Sequence, residues 1–286
     1  MALLEHFNIV HRKPRSASSI GLFSAYDANI IGGALLGFGM ALTGACPGTV
    51  LVQLALGFKS SGYTLLGAVI GGILYARYGD ALKASPLSKA KAGVKGTETL
   101  TIQGKLDVNA NYVLLGYEVL CAAVITIANL IGAEADSKSV WYPIAAGALG
   151  IGGAQGVNLL LTGNAVGVSG AYEEIGRHFW YALDSKSGVQ RPSSRAIAFA
   201  SGILVGTLIL AKAILPIHGS DTVDEGIEIS VWRALFGGLI LVFGSRIAGG
   251  CTSGHGISGM SMFSISSIIT VAAMFGGGIA AAMLVA

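Results

Sequence analysis

Long apolar stretches recur from one end of the chain to the other, and they limit its possible folds more than any other feature of the sequence. A transmembrane helix needs about 20 mostly apolar residues, within a range of roughly 17 to 25. Seven stretches meet this requirement: residues 29–46, 60–78, 111–132, 141–162, 196–215, 232–250 and 264–285. The sequence therefore predicts an all-α integral membrane protein with about seven spans.

The composition supports this interpretation. Charged residues make up 12% of the 286 residues, against about 25% of an average soluble domain. So few charges cannot cover the surface of a soluble globule, and the high apolar content excludes a disordered chain. A net charge of +3, without a basic aromatic surface, gives no reason to expect nucleic acid as a partner. The partner we expect is the lipid bilayer.

Three of the predicted spans run into a glycine-rich break with a short tail, at residues 47–58, 163–181 and 251–262. These tails are too short to cross a bilayer alone. Irregular backbone at membrane depth is tolerated only where it is buried in protein or lines a cavity. We therefore predict short re-entrant half-helices at the three breaks.

Lys and Arg residues divide the connecting segments into two groups. The polar N-terminal segment 1–28 contains three of them, 77–110 contains six and 173–195 contains four, whereas 133–140 contains one and 216–228 none. Because cytoplasmic loops carry an excess of Lys and Arg, the first three segments are predicted to be cytoplasmic and the other two external. The N-terminus is therefore predicted to lie on the cytoplasmic side of the membrane, which is a plasma membrane or a bacterial inner membrane.

The sequence also contains an internal repeat. Residues 32–46 read GGALLGFGMALTGAC and residues 237–251 read GGLILVFGSRIAGGC, with seven of 15 positions identical. The predicted topology makes the first copy leave the cytoplasm and the second return to it. Inverted repeats with discontinuous helices are typical of transporters whose substrate site lies between the repeats. We therefore predict two inverted pseudo-symmetric half-repeats, 29–132 and 141–286.

Cys46 ends the first copy of the repeat, in the sequence Gly44-Ala45-Cys46-Pro47-Gly48. Pro47 cannot extend the preceding helix, and Gly44 and Gly48 allow the backbone to bend and a ligand to approach closely. Two interpretations of Cys46 are open: a ligand-binding thiol at a break, or a small buried hydrophobic residue at a kink.

Cys251 ends the second copy, and Gly250, Ser253 and His255 surround it. A short helix that begins near Ser253 would direct its backbone N–H groups and dipole towards an anion. The alternative for His255 is a packed histidine that caps a helix. A zinc ion needs about four ligands, and no second Cys/His pair lies nearby, so we predict no metal.

Three further polar residues lie within predicted spans or breaks. Arg246 is predicted either to attract an anion towards Cys251 or to extend to the cytoplasmic interface. Gln155 and Asn164 lie at the third break, where polar side chains either join neighbouring helices or line a path.

The motifs FGMALTGACPG and FGSRIAGGCTSGHG resemble the paired cysteine motifs of the YeeE/YedE family, the sulfur transport domain family associated with thiosulfate uptake. LLLTGNAVGVSGAYEEIG resembles the small polar re-entrant element of that family. The resemblance implies inverted halves with short central helices, and it implies that Cys46 and Cys251 pass thiosulfate along through thiol–sulfur contacts. Family members usually carry a further functional cysteine and another re-entrant element upstream, so we expect the first half-repeat to be incomplete.

We therefore predict a permease for a small sulfur-containing anion, with thiosulfate as the expected substrate, and neither an enzyme nor a protein with a cofactor. A cytoplasmic sulfur-accepting protein is a further expected partner. The alternatives are a membrane thiol sulfurtransferase that forms a cysteine persulfide and a non-transporting accessory subunit. The predicted substrate-binding residues are Cys46, Cys251, Gly44, Gly48, Gly250, Ser253, His255, Arg246, Asn164 and Gln155.

Overall fold

The computed structural model describes residues 15–83, 100–131, 137–162, 167–184, 191–218 and 229–285. Within these ranges the chain is helical and contains no β-strand, only a single bridge between Thr101 and Ser264. The α-helices are α1 (Asp27–Thr43), α2 (Thr49–Ala55), α3 (Lys59–Lys83), α4 (Ile102–Leu106), α5 (Ala110–Ile131), α6 (Ser137–Thr162), α7 (Ser169–Leu183), α8 (Arg195–His218), α9 (Val231–Ile247) and α10 (Ile265–Val285). A π-helix (Thr252–Gly259) and a 3₁₀ turn (Met260–Met262) join α9 to α10.

Each of the seven predicted spans coincides with one of the long helices, so the all-helical fold class is confirmed. In the described part of the chain, Arg195–Ala213 and Ile265–Leu284 are each long and apolar enough to cross a membrane. Val231–Ile247 and Thr252–Met262, bent by 43°, form a third candidate when they are taken as one broken span. These helices support a membrane protein, whereas the total of about seven crossings stays a prediction.

Helices α1 and α9 lie side by side and run in opposite directions. Near the start of α1, the Asn29 side chain donates a hydrogen bond of 3.1 Å to the Ala248 carbonyl at the end of α9. At the other end, the space beside Gly237, near the start of α9, is filled by Thr43 at the end of α1. The two helices are therefore antiparallel along their whole length.

Glycines allow this contact to form backbone to backbone. A Cβ atom on Gly32 would lie 2.7 Å from the Gly244 carbonyl oxygen, and one on Gly39 would lie 2.6 Å from the Leu241 backbone nitrogen. Any larger side chain at these positions would force the helices apart. The shared glycines of the two sequence copies therefore set the distance between α1 and α9.

The outer partners of α1 and α9 repeat the same arrangement. Helix α1 packs against α10, where Gly33 faces the backbone of Thr270, and α9 packs against α3, where Gly238 faces the backbone of Thr64. Helix α7 then packs against α3 through Gly72 and Gly176, and it also contacts α9. The helices α10, α1, α9 and α3 therefore form a row, and α7 lies against both α9 and α3.

Some predicted features lie outside the described residues. They include Asn164, residues 84–99 of the predicted cytoplasmic loop 77–110, and residues 219–228 of the predicted external segment 216–228.

Candidate functional site

The two cysteine breaks have the same backbone design. Helix α1 ends at Gly44, whose φ of 61° is left-handed, and α9 ends shortly before Gly249, whose φ is 87°. Glycine adopts this conformation without the penalty that a Cβ atom causes. In each break the cysteine follows the left-handed glycine by two residues, and a new helical segment begins within three residues of the thiol. The breaks predicted around Cys46 and Cys251 are therefore confirmed as interruptions between helices.

Cys46 is half-buried and caps the start of α2. Its backbone N–H donates to the Thr49 hydroxyl at 2.6 Å, and the Thr49 N–H lies 3.4 Å from the Cys46 Sγ atom. A Cβ atom built on Gly48 would lie 3.9 Å from that sulfur and 3.4 Å from the Val168 side chain. Gly48 therefore keeps the surroundings of the thiol open.

Cys251 is buried, with 1% of its surface exposed. Its Sγ atom lies 3.2 Å from the Ser253 hydroxyl. The Ser169 hydroxyl and the backbone groups of Ser169 and Gly254 also reach the sulfur. Cys251 therefore sits among hydrogen-bonding groups and is not simply a small apolar residue at a kink.

The beginning of α7 contacts both cysteine breaks. Ser169 reaches Cys251, and one turn later the Tyr172 hydroxyl donates to the Pro47 carbonyl at 2.8 Å. Tyr172 is 2% exposed. Its neighbour Val168 packs in the same apolar cluster, which also includes Leu51 of α2. One helix therefore links the two places where the sequence repeat puts a thiol.

Sequence reasoning missed both Ser169 and Tyr172. Neither residue belongs to the repeat, and the spacing of a serine and a tyrosine in a glycine-rich segment matches no functional motif. The only available signal was the resemblance of LLLTGNAVGVSGAYEEIG to a polar re-entrant element, which marks the segment but not its individual residues.

Arg246 lies at this site and forms an ion pair with Glu173 of α7. Glu173 also accepts from Arg177 at 2.7 Å, so the three residues carry a net charge of +1. Arg246 Nη1 lies 3.5 Å from the Ser169 hydroxyl, and its guanidinium lies 5.7 Å from the centre of the Tyr75 ring. Its side chain is 20% exposed. Arg246 therefore takes part in a charged cluster with Glu173 and Arg177, and it lies five positions before Cys251 in the sequence.

His255 is buried beneath the Cys251 break with both ring nitrogens engaged. Nε2 lies 3.1 Å from the Ala248 carbonyl and Nδ1 lies 3.0 Å from the Ser267 hydroxyl. A carbonyl oxygen only accepts, so Nε2 donates and Nδ1 accepts in a neutral ring. This arrangement matches the helix-capping interpretation, and a ligand contact by His255 stays a prediction.

Gln155 of α6 reaches the π-helix, where its amide donates to the Ser258 hydroxyl at 2.9 Å. Its Oε1 atom is buried and has no hydrogen-bond partner among the residues that the structure describes. Gly250 packs against the His255 ring and the Arg15 guanidinium. The structure therefore places both residues around the second break: Gly250 directly precedes Cys251, and Gln155 contacts the π-helix that follows it.

Cys121 lies on α5, close to the Tyr117 hydroxyl. It belongs to neither break. In the described ranges no group of three or more His, Cys, Asp and Glu side chains is arranged to hold a metal ion.

Comparison with known proteins adds an independent observation. The profile of a family described as sulphur transport matches residues 1–280. The chain is also similar to two curated proteins named "Probable transporter", from Xylella fastidiosa strain 9a5c and strain Temecula1 / ATCC 700964. Each is 34% identical over 143 residues, which cover 50% of this chain and 92% of the relative. The two relatives are therefore little more than half as long as this chain.

Proposed function

This chain belongs to the sulphur transport family, and we propose that it is a permease that takes up thiosulfate or a closely related sulfur anion past Cys46 and Cys251. The observation that carries the proposal is the position of α7. Ser169 contacts Cys251, and Tyr172 contacts the Pro47 carbonyl beside Cys46. A single short segment thus joins the two cysteine breaks, which supports a pathway that uses both thiols in succession.

The chemistry of the two breaks suits a soft anion. A thiol is a weak hydrogen-bond donor, and the terminal sulfur of thiosulfate is large, polarizable and weakly hydrated. The charged cluster of Arg246, Glu173 and Arg177 supplies a net positive charge close to Cys251. The Ser253 hydroxyl and the hydroxyl and backbone amide of Ser169 add further donors. Neither cysteine has to change its oxidation state during passage.

We further propose that the chain consists of two inverted half-repeats, 29–132 and 141–286. The contacts of α1 and α9 support this arrangement. In the sequence repeat, Gly32 corresponds to Gly237 and Thr43 corresponds to Ala248. In the structure, Gly32 faces Ala248 and Gly237 faces Thr43, so the two contacts are equivalent. Antiparallel packing of the two copies is what a two-fold axis in the membrane plane produces. Two relatives of roughly half the length, each named a transporter, are consistent with such halves.

The proposed topology places segments 1–28, 77–110 and 173–195 together in the cytoplasm. Contacts between them support a common side: the Arg15 carbonyl and the Thr101 backbone both meet Ser264, at the start of α10. Arg77 and Asp184 likewise approach within 3.9 Å. We also propose that a cytoplasmic protein accepts the sulfur after uptake.

The direct test is uptake of ³⁵S-labelled thiosulfate by proteoliposomes that contain the purified protein. We expect uptake above that of protein-free vesicles, reduced by excess unlabelled thiosulfate. Intact-mass measurement of the same protein separates transport from sulfurtransferase chemistry, which would leave an added sulfur atom on a cysteine. A persistent sulfur adduct, or no uptake from a correctly folded sample, would contradict the proposal.

A further inference from the structure

Residues 15–26, which we call the N-terminal strap, lie against the end of α9. The Ser18 hydroxyl donates to the Ile247 carbonyl at 3.0 Å, and the Arg15 guanidinium donates to the Gly249 carbonyl at 2.8 Å. The last carbonyls of a helix have no partner within that helix, and a cation is favourable at this end. The strap therefore completes the end of α9, from which the Cys251 loop, residues 249–254, begins.

The strap is itself firmly attached. The Arg15 carbonyl accepts hydrogen bonds from the Ser264 and Ser266 hydroxyls at 3.1 and 3.0 Å. Further along, the Asp27 carboxylate accepts the Ile20 N–H at 2.8 Å, and the Asn29 side chain accepts the Ser18 N–H at 2.8 Å. These contacts fix the backbone from which the Arg15 side chain extends.

Two glycines of the Cys251 loop make room for this side chain. A Cβ atom on Gly250 would lie 2.7 Å from Arg15 Nη1, and one on Gly254 would lie 2.9 Å from Arg15 Nη2. At Gly254, the three nearest atoms to that Cβ position outside the surrounding backbone all belong to the Arg15 guanidinium. The glycines on both sides of Cys251 thus accommodate the guanidinium.

We propose that Arg15 is a positioning residue of the transport site, which holds the Cys251 loop so that the thiol stays among its donors. The proposal rests on the proposed function and adds the N-terminal segment to the site. Gly249, Gly250 and Gly254 leave this loop with high conformational freedom. The guanidinium restricts that freedom from one side, while Ser169 and Ser253 meet the sulfur of Cys251.

The reactivity of Cys251 tests this role without any substrate. In protein carrying Cys46→Ala and Cys121→Ala, Cys251 is the sole thiol, and its rate of modification by N-ethylmaleimide reports opening of the loop. Gly254→Ala inserts a methyl group that meets the Arg15 side chain. We expect modification to become roughly tenfold faster, the factor that loss of one charge-assisted hydrogen bond predicts.

Gly256→Ala is the matched control. It lies two residues further along the same π-helix, and no heavy atom lies within 4 Å of its Cβ position in the described structure. We expect it to react at the parent rate. Equal rates for Gly254→Ala and Gly256→Ala would overturn the proposal.

Substitution of Arg15 provides the second measurement. We expect Arg15→Ala to speed modification of Cys251 as Gly254→Ala does, and in protein that retains all its cysteines to slow thiosulfate uptake. Arg15→Lys keeps a positive charge and a hydrogen-bond donor, so we expect it to restore slow modification of Cys251 in part. Arg77→Ala removes an exposed arginine and is the control, which should change neither the modification rate nor thiosulfate uptake. Parent-like modification of Arg15→Ala would refute the role of Arg15. Parent protein that transports no thiosulfate would instead refute the proposed function.

Discussion

The Tyr172 hydroxyl donates a hydrogen bond of 2.8 Å to the Pro47 carbonyl. Pro47 follows Cys46 directly, and its carbonyl lies at a break where no regular helical partner is available. The bond therefore attaches α7 to the first cysteine break, while Ser169 of the same helix contacts Cys251 at the second. A displacement of α7 would change the surroundings of both thiols at once.

Replacement of Tyr172 by Phe removes this hydroxyl and leaves the buried Pro47 carbonyl without its donor. An unsatisfied buried acceptor costs about 1–3 kcal/mol, so we expect the free energy of unfolding to fall by this amount and thiosulfate uptake to slow. Thermal unfolding in detergent and proteoliposome uptake provide the two measurements. Tyr117→Phe is the control, because it removes a tyrosine hydroxyl next to Cys121 and keeps the ring that packs on Phe263. Equal uptake by the two variants would refute a role for Tyr172.

Replacement of either break cysteine by Ser is expected to abolish thiosulfate uptake while the protein still folds. Serine is a favourable residue at a helix start, so Cys46→Ser can retain the cap of α2, and Cys251→Ser can retain its bond to Ser253. It lacks the polarizability of sulfur, which a soft substrate atom requires. Cys121→Ser is the control and should transport at the parent rate. Parent-rate uptake by both break variants would show that thiol–sulfur contact is not the mechanism.

Glu173→Gln removes the carboxylate between Arg246 and Arg177 and leaves two like charges close together. Breaking a buried pair costs about 3–5 kcal/mol. Because Arg177 is half-exposed, solvent reduces this cost, and we expect a loss of about 2 kcal/mol in unfolding free energy. The double variant Glu173→Gln/Arg246→Gln should recover part of that loss, and chemical denaturation of all forms measures the coupling. No recovery in the double variant would mean that the two side chains act independently.

The adjacent glycines of α10 offer a matched test of close helix packing. A Cβ atom on Gly277 would collide with the Ala34 backbone of α1, whereas one on Gly276 would meet no described atom within 4 Å. We expect Gly277→Ala to destabilise the protein by about 1–3 kcal/mol through overpacking. Gly276→Ala should be neutral or gain up to ~1 kcal/mol from helix propensity. Similar melting temperatures for the two variants would argue against the close contact of α1 and α10.

Single cysteines test the proposed topology. In a cysteine-free background, Lys91→Cys in segment 77–110 should resist a membrane-impermeant maleimide added to intact cells, and Asp221→Cys in segment 216–228 should react. This expectation follows from six Lys and Arg residues in the first segment and none in the second. Permeabilised cells provide the control, because both positions should then react. Reaction at position 91 alone in intact cells would reverse the topology.

The sequence was sufficient to predict the long helices, because about 20 consecutive apolar residues have few other stable arrangements. It was also sufficient for the cysteine breaks, since glycine and proline interrupt helices by local sterics alone. The partners of the breaks could not be predicted in this way. Tyr172 and Arg15 are 126 and 236 residues from the thiols they lie near, counted to Cys46 and Cys251. Only tertiary packing brings such residues together. Arg246 was identified, but its partner Glu173 was not, because many acidic residues could have paired with it.

The backbone contact between α1 and α9 has a mechanical consequence. Helices that meet through side chains can slide when rotamers change, but Gly32 and Gly39 of α1 pack directly against the backbone at Gly244, Ala248 and Leu241. The two helices therefore form a rigid pair. We expect any alternation between outward and inward access to leave this pair intact. We expect motion to involve the segments around this pair of helices, with hinges at the left-handed glycines of the two cysteine breaks, Gly44 and Gly249.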